Sequence, residues 1–464
     1  MTDDVKEHCG IIGIFGHSEA AEMVYLGLYA LQHRGQEGAG IVTADGKRLY
    51  QHRGEGLVND VFSSQDIIRG LRGHIAIGHN RYSTTGLNQP TNVQPILVNS
   101  KDGPVAIGHN GNLINPNALR SMLLKEGALF QTSTDTEIIV HLIARSRAPN
   151  LKARVKEALD RVRGAYSLVM LMKDRLIIAR DPRGFRPLAL GQLGNATVAA
   201  SETCAMDLIG AQYVRDVEPG ELLVIDADGT HSDTLNGTGR LSHCIFEFIY
   251  FSRPDSKIFG ENVDKTRRRL GKRLSEEHPT QADIVISVPD SSNTAALGFS
   301  NSSGIPFELG LIRNHYIGRT FIQPQQAIRN FSVKVKFNPV GGVLAGKKVV
   351  LVDDSIVRGT TLKILTQIVR KAGAKEVHIR VTSPRICYPC YYGMDFPTPK
   401  ELIASNKSVD EIRAFLGADS LGYLSKEGML STVPGQGRGY CTACFDGEYP
   451  DPPEERFEKN QYET

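Results

Sequence analysis

The run Val349-Val350-Leu351-Val352-Asp353-Asp354-Ser355-Ile356-Val357-Arg358-Gly359-Thr360-Thr361 constrains the fold more than any other stretch of this chain. Four aliphatic residues without a polar interruption fit a strand buried on both faces, as in a parallel sheet covered by helices. Two similar runs, Ile284–Val288 and Val377–Val381, alternate with helical stretches at Lys265–Glu277 and Thr361–Ala372. The second half of the chain is therefore expected to be an α/β domain. The central run stops at two adjacent carboxylates, and a Gly/Thr-rich loop then opens a helix. Ligands bind at the carboxyl ends of parallel strands. N–H groups at a helix N-terminus, with Ser and Thr hydroxyls, suit a phosphate. Asp353 and Asp354 would repel that phosphate unless they serve ribose hydroxyls or Mg²⁺; the plain alternative is a solvated strand end. Together the parts describe a site for a sugar phosphate with a metal.

An ATP-binding P-loop is the sharper competitor, because Gly341–Lys348 (GGVLAGKK) nearly spells one. Lys348 stands where Ser or Thr is needed, and the segment leads into a strand instead of following one, which is the wrong context.

The first half reads differently. Short strand-like segments recur at Cys9–Phe15, Gly38–Ala44, Ile75–Asn80, Val105–Asn110, Tyr166–Met172, Leu176–Arg180 and Leu222–Asp226. Glu19–His33 carries apolar residues at helical spacing and stops at Gly35. Gly- and Thr-rich sequence at Asp233–Arg240 marks a boundary, which divides the chain into 9–238 and 239–449. Residues 450–464, rich in Glu and Pro, read as an acidic tail. The chain has 464 residues, enough for two or three domains. Its formal charge of +3 gives no reason to expect a nucleic-acid partner. No apolar run approaches the ~20 residues of a membrane span. The acidic stretch 1–8 lacks the apolar core of a secretory signal. Seven cysteines without an export signal point to reduced thiols and a cytoplasmic protein.

Cys9, followed by Gly10-Ile11-Ile12-Gly13, is expected to be a nucleophile uncovered by removal of residues 1–8. Its own α-amine, with an unperturbed pKa of about 7.7–8.0, would then accept the thiol proton. A small buried Cys opening an edge strand is the alternative. Four further segments bear on this: Leu31–Gln36, Gly78–Thr84, Gly108–Asn112 and Ser133–Glu137. Amide hydrolysis through a thiol needs an oxyanion hole, and the Asn110 side chain with the Gly111 N–H supplies two donors. Free glutamine needs a cation for its carboxylate and an anion for its ammonium, roles that Arg81 and Asp135 fit. Taken singly, Asn110-Gly111 also spells a hairpin turn, Asp135 a helix cap, and Arg34 and Arg81 surface ion pairs.

The order of these pieces resembles the class II glutamine amidotransferases, which are N-terminal-nucleophile hydrolases; the resemblance also puts Arg34 at the glutamine site. It implies an α+β domain, an αββα sandwich. The run ending at Thr361 resembles the fingerprint of type I phosphoribosyltransferases, which bind 5-phosphoribosyl-1-pyrophosphate (PRPP) on an α/β fold. That likeness implies that Ser355, Val357, Arg358, Gly359, Thr360 and Thr361 take the 5-phosphate, while Asp353 and Asp354 take ribose and Mg²⁺. Asp290-Ser291-Ser292, after the strand Ile284–Val288, resembles the pyrophosphate loop, with Ser291 near the metal. Residues 318–336 resemble a loop that closes over PRPP, with Arg319, Arg329, Lys334 and Lys336 facing the pyrophosphate. The two halves in this order resemble the glutamine PRPP amidotransferases. That family implies hydrolysis of glutamine, use of the ammonia to displace pyrophosphate from PRPP, and 5-phosphoribosylamine as product, the first step of purine biosynthesis. It further implies a protected ammonia passage, a tetramer, and purine nucleotides as feedback inhibitors. A phosphoribosyltransferase using free ammonia, or a PRPP-binding iron–sulfur regulator, are the alternatives.

The remaining cysteines form two CxxC pairs, Cys387/Cys390 and Cys441/Cys444, with Cys244 apart. By spacing alone such pairs suggest zinc, although some fifty residues separate them, far more than in a compact zinc ribbon. The iron–sulfur-containing branch of the family instead implies a [4Fe–4S] cluster on Cys244, Cys390, Cys441 and Cys444, leaving Cys387 spare and Cys204 structural.

Overall fold

A computed structural model of the chain describes residues 9–82, 89–100, 103–237, 239–314, 336–394 and 398–453. Residues 1–8, Ser83, Thr84, the boundary position Thr238, the loop cations Arg319, Arg329 and Lys334, and most of the acidic tail lie outside them.

Gly10–Phe15 sits inside a seven-stranded antiparallel sheet of order Gln212–Asp216, Ala189–Leu193, Ala196–Ala200, Gly10–Phe15, Ile75–Arg81, Gly38–Ala44, Leu49–Glu55. A six-stranded sheet stacks on it, in the order Gly229–Thr234, Glu221–Asp226, Leu176–Arg180, Gly164–Leu171, Gly103–Leu113, Ile96–Ser100. Neighbouring strand residues point to opposite faces. Ile11, Val42 and Ile77 accordingly meet Val169, Leu171 and Ile178 between the sheets. Ile12 and Ile14 turn the other way, against Val24 and Leu28 of the helix Ala20–Ala30 and Met206 of Thr203–Ile209. Helices Thr136–Arg145 and Leu151–Leu159 cover the outer face of the second sheet. This is the expected αββα sandwich. Because each sheet is covered twice, Gly38–Ala44 and Gly164–Leu171 are buried at every residue instead of alternating.

The helix expected to run from Glu19 to His33 ends at Ala30, and a 3₁₀ turn, Gln32–Arg34, follows. Gly35 then lies so close to the strand Ile75–Arg81 that a Cβ there would meet the Arg81 carbonyl carbon at 2.8 Å. Only glycine permits that approach.

The second domain has a four-stranded parallel sheet in the order Ile284–Ser287, Lys348–Asp353, Glu376–Val381, Ser420–Tyr423. Val350 and Val352 pack on Leu270, Leu274 and Phe299 of the helices Val263–Glu277 and Asn293–Ser303. Val349 and Leu351 face Leu362, Leu365 and Ile412 of Thr360–Lys371 and Val409–Leu416. The apolar run is thus covered on both faces, as its composition predicts. Gly341–Leu344 is a short helix and Lys348 begins the strand, so the P-loop-like glycines enter at the amino end, opposite the ligand-binding edge. No helix among the described residues is long and apolar enough to cross a membrane.

A buried ionic cluster fastens the two domains together. Arg34 donates through Nε to Glu202, and through Nη2 to Glu247 Oε2 at 2.5 Å and Ser252 Oγ at 3.0 Å. Arg186 approaches the other Glu247 oxygen at 3.3 Å. Arg34, Arg186, Glu202, Glu247 and Ser252 are each at most 1% exposed. Burial by itself would raise the Glu202 carboxyl; Arg34 and His33 outweigh it and hold the group well below the ordinary range. Removing one partner of such a cluster leaves uncompensated charge in the interior. Glu247→Ala, which strands two guanidinium groups, is predicted to cost about 3–5 kcal/mol, measured as a lowered midpoint in denaturant unfolding.

Candidate functional site

The carboxyl edge of the parallel sheet opens into a cavity of about 580 Å³. Asp353 and Asp354 end the central strand there, and Ser291 donates to Asp354 Oδ2 at 2.5 Å while Ser292 donates to Asp353 Oδ1 at 3.2 Å. The two strand-end loops are thereby tied into one rim. Ser355 donates to Asp354 Oδ1 at 2.7 Å. Gly359, at φ 77, is the residue before the helix Thr360–Lys371 and lets the loop turn into it. Asp290, Ser291, Asp353, Asp354, Ser355, Val357, Gly359 and Thr361 all line the cavity, as does Lys336. Ser292, Arg358 and Thr360 are not among the lining residues; Arg358 reaches Glu401 at 3.3 Å. Carboxylates beside hydroxyls and a helix N-terminus suit a phosphorylated sugar whose charge is shared with a divalent cation. Mg²⁺ keeps several waters and takes only one or two protein carboxylates, so Asp353 and Asp354 fit it without a dense protein cage.

The opposite wall comes from the first domain: His33, Gln36, Glu37 and Tyr82. Tyr82 also accepts a hydrogen bond from Cys9 Sγ at 3.4 Å, through its carbonyl oxygen. The thiol and this cavity therefore share Tyr82 as a partition. Burial pushes the Cys9 thiol up to about 11, against the lowering influence of the Tyr82 bond and Arg81. A neutral thiol at physiological pH needs a base before it can attack.

Asn110 is fully buried, and among the described residues neither its Nδ2 nor its Oδ1 has a hydrogen-bond partner. An unsatisfied buried amide is costly, so its persistence fits a donor kept for a ligand. The hairpin alternative fails: Asn110 and Gly111 lie within the strand Gly103–Leu113. Gly111 has φ 148, and a Cβ on it would be 2.0 Å from the Ala165 carbonyl oxygen. Asp135 precedes the helix Thr136–Arg145 but does not cap it by its side chain; its carboxylate accepts from the Leu113 N–H at 2.8 Å. Arg81 and Asp135 both act electrostatically on the Cys9 thiol, which brings the expected cation and anion to the same neighbourhood. Arg34 differs from the surface ion pair it resembled in sequence. Its guanidinium is taken up by Glu202, Glu247 and Ser252, so it stands behind the site and fastens it to the second domain.

Cys244, Cys390, Cys441 and Cys444 line one small cavity with Phe185, Phe246, Tyr392 and Met394. All four are free thiols. Burial, and then mutual repulsion with the neighbouring sulfurs, pushes Cys444 well above the usual thiol range. Among the described residues no group of three His, Cys, Asp or Glu side chains is placed to hold a metal ion. Four thiols around one apolar cavity do fit a larger iron–sulfur group, whose ligands each bind a different iron. Cys387 lies outside, donating to the Ala404 carbonyl at 3.6 Å, and Cys204 is buried beside Glu202.

Arg186, Glu202, Glu247 and Arg267 were not legible as site residues. Arg267 lines the cavity while its guanidinium holds the Phe248, Tyr250 and Ser252 carbonyls at 2.7–2.8 Å, shaping that wall. Their partners lie far away in sequence, so no local motif announces them.

Residues 79–207 match the glutamine amidotransferase domain family, and residues 261–388 match the phosphoribosyl transferase domain family. The chain is 50% identical over 454 residues to the amidophosphoribosyltransferase of Bacillus subtilis, covering 96% of this chain and 94% of that one. It is 48% identical over 455 residues to the amidophosphoribosyltransferase of Methanothermobacter thermautotrophicus, with 97% and 96% covered. A solved structure described as the allosteric regulatory enzyme of purine biosynthesis superposes with a TM-score of 0.92 at 50% identity, over 96% of this chain and 97% of that one. Another, the B. subtilis glutamine PRPP amidotransferase complexed with ADP and GMP, gives 0.91 at 49% identity, over 96% and 98%. With both domains in this order and half the residues identical over nearly the whole length, the chain belongs to the amidophosphoribosyltransferase family.

Proposed function

We propose that this chain couples glutamine hydrolysis to PRPP amination. The observation that supports this most directly is the single cavity walled on one side by the phosphate loop and on the other by Tyr82, whose carbonyl holds the Cys9 thiol. Cys9 attacks the glutamine amide carbon, and its sulfur proton passes to its own α-amine once residues 1–8 have been removed. Asn110 Nδ2 and the Gly111 N–H hold the oxyanion; the C–N bond then breaks as the amine returns the proton to the departing ammonia, and water hydrolyses the thioester to glutamate and the free thiol. Arg81 grips the substrate α-carboxylate and Asp135 its ammonium. Ammonia crosses beside Tyr82 without reaching solvent, where it would be protonated.

In the second domain the loop Ser355–Thr361 holds the 5-phosphate and Asp353 and Asp354 the ribose hydroxyls. Ammonia forms the new C1–N bond while the C1–O bond to pyrophosphate breaks, and one ammonia proton is released. Asp353, Asp354 and Ser291 would hold Mg²⁺, which would supply positive charge to offset that on the pyrophosphate. Asp290, Ser291 and Ser292 turn the pyrophosphate loop toward the cavity; Arg319 and Lys334, assigned to PRPP binding, lie outside the described residues. Cys244, Cys390, Cys441 and Cys444 would hold a [4Fe–4S] cluster, which would tie the start of the second domain to its end. Reduced thiols throughout suit the cytoplasm. Purine nucleotides are the inhibitors this reading expects, and a tetramer the assembly.

Two variants separate the half-reactions. Cys9→Ala is predicted to abolish pyrophosphate release with glutamine while leaving the ammonia-driven rate within about twofold, whereas Asp354→Asn lowers both by ~10²-fold or more. Loss of the ammonia-driven rate in Cys9→Ala, or full glutamine activity in it, would contradict the proposal. Processing is tested by intact mass: protein active on glutamine should begin at Cys9, and full activity with Met1 still attached would rule out the amine as base.

A further inference from the structure

The strand carrying the proposed oxyanion donors is backed by the segment that carries a cluster cysteine. Gly393, at φ 98, lies against the Gly111–Asn112 peptide: a Cβ there would be 3.0 Å from the Gly111 carbonyl carbon, 3.1 Å from its oxygen and 3.4 Å from the Asn112 nitrogen. Asn112 donates through Nδ2 to the Tyr391 carbonyl at 3.1 Å. On the other side a Cβ on Gly111 would strike the Ala165 carbonyl oxygen, so the peptide is clamped between its neighbouring strand and Tyr391–Gly393. The segment is itself anchored to the first domain. Arg186 Nη2 donates to the Tyr392 carbonyl at 2.6 Å, and the Tyr392 and Phe185 rings stack at 4.2 Å. Tyr392 in turn donates its N–H to Cys390 Sγ at 3.4 Å.

We infer that Gly393 and Asn112 are positioning residues for glutamine hydrolysis, setting the Gly111 N–H from across the domain boundary. They touch neither glutamine nor PRPP; they fix the peptide next to a donor that must point at the position of the developing oxyanion. An error approaching 1 Å in such a donor costs ~10²-fold in rate. The glutaminase site is then complete only when the cysteine segment of the second domain is docked, which makes hydrolysis answer to the state of that segment. The inference rests on the reading of Cys9, Asn110 and Gly111 given above.

The test compares a γ-aldehyde analogue of glutamine, which forms a tetrahedral thiohemiacetal with an oxyanion, with glutamate, which does not. Transition-state-like ligands feel a misplaced oxyanion donor and ground-state ligands do not. For Gly393→Ala and, separately, Asn112→Ala, we expect kcat on glutamine and affinity for the aldehyde to fall at least tenfold. KM, glutamate affinity, the ammonia-driven rate and the visible absorption of the cluster should stay within about twofold of the parent. Equal loss of ammonia-driven activity and cluster absorption in both variants would reduce the segment to a structural role and overturn the inference. So would unchanged aldehyde affinity in both. If the parent protein itself binds the aldehyde no more tightly than glutamate, the oxyanion reading fails instead.

Discussion

The Arg34–Glu202–Glu247–Arg186 cluster is the interaction on which the rest of the structure depends. Isolated charges cannot be buried without large cost, and here two cations and two anions from both domains are withdrawn from water together. Their mutual satisfaction requires the domains to meet in one way, because a slipped interface would strand a guanidinium or a carboxylate. Arg34 sits in the turn just before Gly35, which presses on the strand ending at Arg81. Arg186 reaches the Tyr392 carbonyl. The same salt bridges therefore fix the approach to Cys9 and the segment behind Gly111.

Two chemically distinct half-sites follow from that docking. Each is built at strand ends, where side chains are held by sheet register and not by loop packing alone. The thiol opens the strand Gly10–Phe15, and Asn110 lies within a neighbouring sheet. The acidic pair closes Lys348–Asp353. Their joint boundary is Tyr82, with Tyr250 through Pro254 completing the wall from the second domain. Ser252 belongs both to that wall and to the ionic cluster, so the charges that join the domains also shape the space between the two chemistries.

Local signals in the sequence were reliable and distant ones were not. The run Val349–Asp353 announced a doubly covered strand because its aliphatic character is intrinsic. The failed P-loop was legible because its position relative to the strand is local. Asn110-Gly111 spells a turn when taken singly, but dipeptide propensity yields to a sheet that needs a glycine where Ala165 approaches. The resemblance put Arg34 at the glutamine site, since sequence cannot display a carboxylate more than two hundred positions away closing on it. Arg186 gave no signal for the same reason. The cysteines lie between these extremes. Spacing paired Cys387 with Cys390, whereas the fold separates them, turning one toward Ala404 and the other into the cavity with Cys244.

The central claim is that nitrogen passes from one half-site to the other across the shared wall. The direct measurement supplies glutamine labelled with ¹⁵N in its amide, together with unlabelled ammonia in the buffer, and reads the isotope in the phosphoribosylamine by mass spectrometry. The account predicts product carrying the glutamine label with little dilution as external ammonia is raised toward the level that drives the reaction alone. A label fraction that simply follows the proportion of free ammonia in solution would mean that the two sites exchange through solvent, and would contradict it.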